Sequence, residues 1–133
     1  MDFILIQPDG LRTVWPQVRA GLDTMPADDW IPEDVFHAVK SGAAALYLGV
    51  SDKGFCGFLI LQKLIAEFSR TPTLHCWLAY NHGGQDIYDA AAEFLKEHAK
   101  HMGAARLTFG SPRPGWGKRF PCLTATYEIP LEG

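Results

Sequence analysis

The sequence predicts an α+β domain, a three-layer αβα arrangement around a mixed sheet, on three observations. A long apolar hairpin fills the middle of the chain, "AALYLGV" turning through "SDKG" into "FCGFLILQKLIAEF". A later strand, "TLHCWLAY", leads through a glycine-bearing loop into one amphipathic stripe, Ile87, Ala90, Ala91, Phe94, Leu95 and Met102. A further strand, "ARLTFGS", follows that helix. A strand–helix–strand crossover makes its two strands parallel neighbours, so hairpin and crossover together give a mixed sheet around one long amphipathic helix. At 133 residues the chain has the size of one domain, 1–133.

Each element has a local reason. "DFILIQ" is a short apolar run that reads as a first strand. Val14, Val18, Leu22 and Met25 fall at helical spacing, with Thr13 as a cap, Pro16 in the first turn and Pro26 beyond the end. In "IPEDVFHAVKSG", Pro32 opens a second helix, Glu33 and Asp34 suit its positive end, and Ser41-Gly42 stops it. "SDKG" reads as a four-residue turn, and Gly57 within the second hairpin strand marks a bulge or a close backbone approach. Gly103 ends the long helix. "PRPGWGKRFP" is a loop or single helical turn, and "LTATYEIPL" reads as a closing strand.

Composition excludes several classes. Apolar residues make up 47% and charged residues 20%, ordinary globular usage. No apolar run approaches a membrane span, and "MDFILIQPDG" lacks the basic flank of a signal peptide. The three cysteines, Cys56, Cys76 and Cys122, have no C-x-x-C spacing, which predicts reduced, mostly buried thiols in a cytoplasmic protein. His98 and His101 share a helix but lack further ligands, so they read as a solvated helix end and not as a metal site. Net charge is −3 but uneven, with thirteen acids and seven bases up to Glu97. From His98 to Tyr127 five bases (Lys100, Arg106, Arg113, Lys118, Arg119) occur without an acid. This permits an anion site in the C-terminal third. Overall acidity and the lack of a binding motif argue against nucleic acid.

The segment "CWLAYNHGGQDIYDAAAEFLKEH" is a strand, a tight loop and a helix start. A helix N-terminus exposes unpaired N–H groups and a partial positive charge, and glycines allow close approach, so the geometry suits a phosphate. Against it, no Lys or Arg occurs from Thr71 to Leu95, and Asp86 can cap the free amides itself.

The order of elements, at this length, resembles the GNAT N-acetyltransferase superfamily over nearly the whole chain. The resemblance rests on two opening helices, the hairpin, "TLHCWLAYNHGG", the amphipathic helix and "ARLTF". It implies that the strand before the loop splays from its parallel neighbour, that acetyl-CoA slots into the gap, and that loop amides grip its pyrophosphate. The loop departs from the family pattern, which is Gln or Arg, two residues, Gly, one residue, then Gly or Ala. With Gly83 first, Tyr80 and Gln85 occupy the outer positions; with Gly84 first, Asn81 and Asp86 do.

By the resemblance, a main-chain N–H of Trp77 or Leu78 would polarise the thioester, and Tyr80, Gly83, Gly84 and Gln85 would line the coenzyme. Tyr127 would be the acid. Among the residues themselves, His75 alternates with Trp77 and Ala79 on one strand face and is a candidate base, or a histidine satisfied within the sheet. Glu67 is a second candidate base, or a solvated strand end. Arg113 and Lys118, with Arg119, surround Trp116 in a stretch that could contact coenzyme phosphates or serve as a stiff connector. The "S-x-R-x-G-W-x-K" pattern is similar to a segment of small phage-encoded GNAT-like proteins. Two functions stay open. One is transfer of acetyl from acetyl-CoA to an unidentified small-molecule or protein amine. The other is an inactive GNAT-fold interaction or structural module, phage- or virion-associated, with homo-oligomerisation open.

Overall fold

The computed structural model describes residues 1–26, 29–65, 68–111, 118–123 and 127–131. Its order is β1 (Asp2–Ile6), α1 (Leu11–Leu22), α2 (Pro32–Ser41), β2 (Ala45–Ser51), β3 (Gly54–Ile65), β4 (Pro72–Asn81), α3 (Tyr88–His101) and β5 (Arg106–Phe109). Among the described residues the strands form one five-stranded sheet in the order β1-β2-β3-β4-β5. The first three pairings are antiparallel, and β4–β5 is parallel across α3. The mixed sheet and its crossover are as the apolar runs predict.

Helices cover both faces. On one, Leu11, Val18 and Leu22 of α1 and Val35 and Val39 of α2 pack with Leu46, Leu48, Phe58, Ile60 and Leu78 of the sheet. On the other, Ala91, Leu95 and Ala99 of α3 pack with Cys56, Leu59, Leu61, Leu74 and Cys76. The middle strand β3 feeds both cores, which is why its run is nearly continuously apolar rather than alternating. No helix among the described residues is long and apolar enough to cross a membrane.

Local expectations are met where one residue decides the outcome. Gly42 and Gly103 take left-handed φ values of 85° and 74° just past α2 and α3. Asp34 Oδ2 accepts from the Ile31 N–H at 3.0 Å, closing the start of α2. Gly57 has φ 151°, and a Cβ built there would lie 2.1 Å from the Tyr80 carbonyl oxygen. Beside it the β2–β3 register shifts between Gly49 and Val50, so the close approach and the bulge occur together.

Other expectations need correction. Helix α1 begins at Leu11, not at Thr13, because a 3-10 turn over Pro8–Gly10 leads straight into it. Pro16 therefore lies inside the helix rather than in its first turn. The hairpin turn is shorter than read. Ser51 pairs with Gly54, leaving Asp52 and Lys53 as the loop, with Gly54 at φ 92°. Of the expected closing strand, Leu123 and Tyr127–Leu131 carry no strand structure, and 124–126 lie outside the described residues. Cys56 and Cys76 are buried as expected, whereas Cys122 is exposed.

Candidate functional site at the parting of two strands

The strands β4 and β5 share four rungs, Thr73↔Arg106 to Cys76↔Phe109. Beyond Cys76, β4 continues through Trp77–Asn81 while β5 has ended, so among the described residues that stretch has no partner on the β5 side. At the same point the β3–β4 register shifts. Ile60 faces Leu78 and Leu61 faces Cys76, leaving Trp77 as the unpaired extra residue of a bulge.

The bulge reorganises the strand's faces. Leu74 and Cys76 pack towards α3, so His75 points to the α1/α2 side. Trp77 and Leu78 both pack on the α1/α2 core, as does Tyr80. Ala79, between Leu78 and Tyr80, is turned to the other face and exposed. The sequence pattern placed His75, Trp77 and Ala79 together; the bulge keeps the first two and removes the third. The His82 N–H donates to the Cys56 carbonyl at 3.0 Å, which sets the phase of the ladder. Main-chain groups alternate between neighbours, so those of Ala79 and Asn81 face the open side.

The His75 ring is held at the last rungs before the strands part. Its Nδ1 lies 2.9 Å from Thr108 Oγ1, across the Cα-paired rung His75↔Thr108. Burial lowers its pKa, so the neutral imidazole is favoured. Tyr80 packs on Phe58, ring centroids 5.2 Å apart, beneath α1. Gly21 makes room for it: a Cβ there would lie 2.8 Å from Phe58 and 2.9 Å from Tyr80. The Tyr80 hydroxyl is 3.1 Å from His82 Nδ1.

Gly83 and Gly84 both adopt left-handed φ, 64° and 74°, in the loop that joins β4 to α3. Gln85 N–H donates to the His82 carbonyl at 3.2 Å, closing the turn. Two amides at the helix start are already engaged. Asn81 Oδ1 accepts from the Ile87 N–H at 3.3 Å, and Asp86 Oδ1 from the Tyr88 N–H at 2.9 Å. The N–H groups of Gly83, Gly84 and Asp86 have no intramolecular acceptor among the described residues. Positive charge reaches this place from elsewhere in the chain. The Arg119 guanidinium sits 4.7 Å from the Tyr88 ring centroid, at the first residue of α3. Lys118 adjoins it in sequence and is exposed.

Glu67 and Arg113 lie outside the described residues, as does Trp116. Tyr127 is 87% exposed. Sequence reasoning missed Thr108, His82 and Asn81 as partners in this region. A threonine within a strand carries no signal of its own, and the Asn81 cap spans a loop whose path depends on the two glycines.

A mixed sheet whose one parallel pairing stops beside a bulge, followed by a glycine turn into a helix, is in keeping with the GNAT acetyltransferases, and this chain has that fold. Solved structures agree over nearly the full length of both chains. The ribosomal-protein-alanine N-acetyltransferase of Brucella melitensis superposes with TM-score 0.70 at 18% identity, covering 98% of this chain and 100% of that one. A GNAT family acetyltransferase of Staphylococcus aureus gives 0.68 at 14% identity, with the same two coverages of 98% and 100%. A protein described as a transcriptional regulator from Bacillus halodurans gives 0.69 at 12% identity, again covering 98% and 100%. No family model matches the sequence. No curated protein matches it either.

Proposed function

We propose that the protein is an acyltransferase that takes an acetyl group from acetyl-CoA and delivers it to an amine. The observation that supports this reading is the end of the β4–β5 ladder at Cys76↔Phe109, beside the Trp77 bulge. There main-chain groups of one strand are left for a ligand to pair with, as an extra strand would. The described residues fit the coenzyme's chemistry in two respects. Ala79 and Asn81 offer backbone groups to an amide-bearing arm, and the unengaged amides of Gly83, Gly84 and Asp86 suit a diphosphate. Lys118 and Arg119 would supply the cations the loop lacks, and the sequence adds Arg113, which lies outside the described residues.

When bound, the coenzyme supplies an activated acetyl thioester. The residues of the chain would do the rest. The Trp77 N–H would stabilise negative charge on the carbonyl oxygen as the amine nitrogen bonds to the carbonyl carbon, whereas the ladder phase that turns Ala79 and Asn81 outward points the Leu78 N–H at β3 and takes it out of that role. The acceptor's ammonium would first lose a proton to a base, His75 or Glu67. An acid, for which the resemblance offers Tyr127, would protonate the leaving sulfur as the carbon–sulfur bond breaks. Neutral His75, favoured by burial, is in the form a base requires.

The test is titration of acetyl-CoA while following the melting temperature and the heat of binding. At a hundred times its Kd a ligand adds about 2.7 kcal/mol of stability. No shift at millimolar coenzyme would remove the enzyme reading. One observation favours the second reading, a GNAT-fold interaction module: the Asp86 carboxylate already occupies the Tyr88 N–H where a phosphate would be held.

A further inference from the structure

The clasp between His75 and Thr108 bridges β4 and β5 one rung before the last, where the two strands are about to separate. It joins two strands far apart in sequence, and both side chains rise on the α1/α2 face, which Trp77 and Leu78 share. We infer that Thr108 is a positioning residue: its hydroxyl oxygen accepts from His75 Nδ1–H and so leaves Nε2 as the bare nitrogen. This rests on the acyltransferase reading, in which His75 takes a proton from the acceptor amine.

A neutral imidazole carries its single proton on one nitrogen; a threonine hydroxyl could accept from Nδ1–H or donate to a bare Nδ1, and the role inferred for Thr108 requires the first. With Nδ1 committed to Thr108 at 2.9 Å, only Nε2 remains for chemistry. A donor at Nδ1 makes Nε2 an acceptor, which is what a base needs. The threonine also fixes the ring plane. Its own Cβ is branched and stiff at χ1, and its strand is locked by the parallel ladder on either side of the rung. The imidazole is thus held by a rigid element rather than by a loop.

The experiment is imidazole nitrogen NMR on the full chain, wild type against Thr108→Val and Thr108→Ser, at a pH where His75 is neutral. Wild type and T108S are expected to show a protonated Nδ1 and a bare Nε2 at His75. T108V keeps the branched shape but cannot accept, and is expected to lose that tautomer. A wild-type spectrum with the proton on Nε2, or a T108V spectrum identical to wild type, overturns the inference. Acetyl-CoA calorimetry on the same samples separates this from the parent reading. If T108V binds coenzyme within about two-fold of wild type but loses ten-fold or more in the rate of thiol release with an amine acceptor, the positioning role stands. Wild type without coenzyme binding removes the base role and leaves only a structural hydrogen bond, which also overturns the inference.

Discussion

The Asp86 carboxylate accepts the Tyr88 N–H at 2.9 Å and so places a negative charge at the first turn of α3. Nature uses this position both for caps and for phosphates, because the same unpaired amides serve each. Cap and coenzyme therefore compete here. In Asp86→Asn an oxygen acceptor remains while the charge is gone. We expect acetyl-CoA to bind that variant several-fold more tightly by calorimetry, at a stability cost of about 0.5 kcal/mol from the lost charge–dipole term. Unchanged or weaker binding would show that the diphosphate does not approach the helix start.

Arg119 lies over the Tyr88 ring, 4.7 Å from its centroid. Its side chain places a positive charge at the first residue of the helix that follows the glycine turn. Arg119→Gln should weaken acetyl-CoA binding about ten-fold and flatten the dependence of affinity on salt, since a screened charge interaction has been removed. Stability should fall by no more than about 1 kcal/mol, the scale of an exposed cation–π contact. Equal salt slopes in both proteins would count against a phosphate contact.

Gly57 and Gly54 separate two costs of a side chain. At Gly57 a Cβ would lie 2.1 Å from the Tyr80 carbonyl oxygen, a backbone atom that cannot step aside without disturbing β4. At Gly54 the space is open, and only the left-handed φ of 92° resists. Gly54→Ala should cost about 1 kcal/mol in urea denaturation. Gly57→Ala should cost roughly 3 kcal/mol or more, and should also disturb the Trp77 bulge that lies further along the same strand pairing. Similar losses at the two positions would refute the close-contact account.

The solvated helix end read from the sequence holds for His101 but not for His98, which stacks on Phe94 with ring centroids 5.6 Å apart and meets Tyr47 edge-on at 5.5 Å. The His98 pKa is lowered by burial, with Lys63 and His101 adding repulsion, and that of His75 is lowered by burial. Between the lowered folded value and the ordinary 6.5, the unfolded chain binds more protons than the folded one. The stability gained by keeping these two imidazoles neutral is therefore fully present above pH 6.5 and is lost as pH falls below it through their lowered values. Urea midpoints at pH 7.5 and pH 5 should differ less in His98→Phe than in wild type, because the phenyl ring keeps the stack without titrating. An equal pH response would exclude His98 as a contributor.

Burial pushes the Cys76 thiol up to about 12 and raises that of Cys56, whereas Cys122 is exposed. The thiolate is the reacting form, so an aromatic disulfide reagent should modify one thiol quickly in the native protein and all three only in denaturant. Cys122→Ser should abolish the fast phase. A second fast thiol would mean that one of the two cores opens readily.

The sequence by itself determined the features set by a residue and its near neighbours. The stripe of α3 and the Pro32 start of α2 were readable, as were the stops at Gly42 and Gly103 and the tight place at Gly57. Each follows from side-chain periodicity or from a φ that only glycine takes at no cost. The start of α1 misled, because Thr13 looks like a cap while the Pro8–Gly10 turn had already begun the helix. The closing run "TYEIPL" has strand-like residues, yet Tyr127–Leu131 form no strand. Strand formation needs a partner edge, and propensity alone does not supply one. Only the tertiary structure decided what makes the candidate site. The extra residue at Trp77, the end of the β4–β5 ladder at Cys76↔Phe109, and the meeting of His75 with Thr108 all depend on register between strands distant in the chain. Register is fixed when both faces of the sheet are packed at once, and a linear pattern holds no record of that competition.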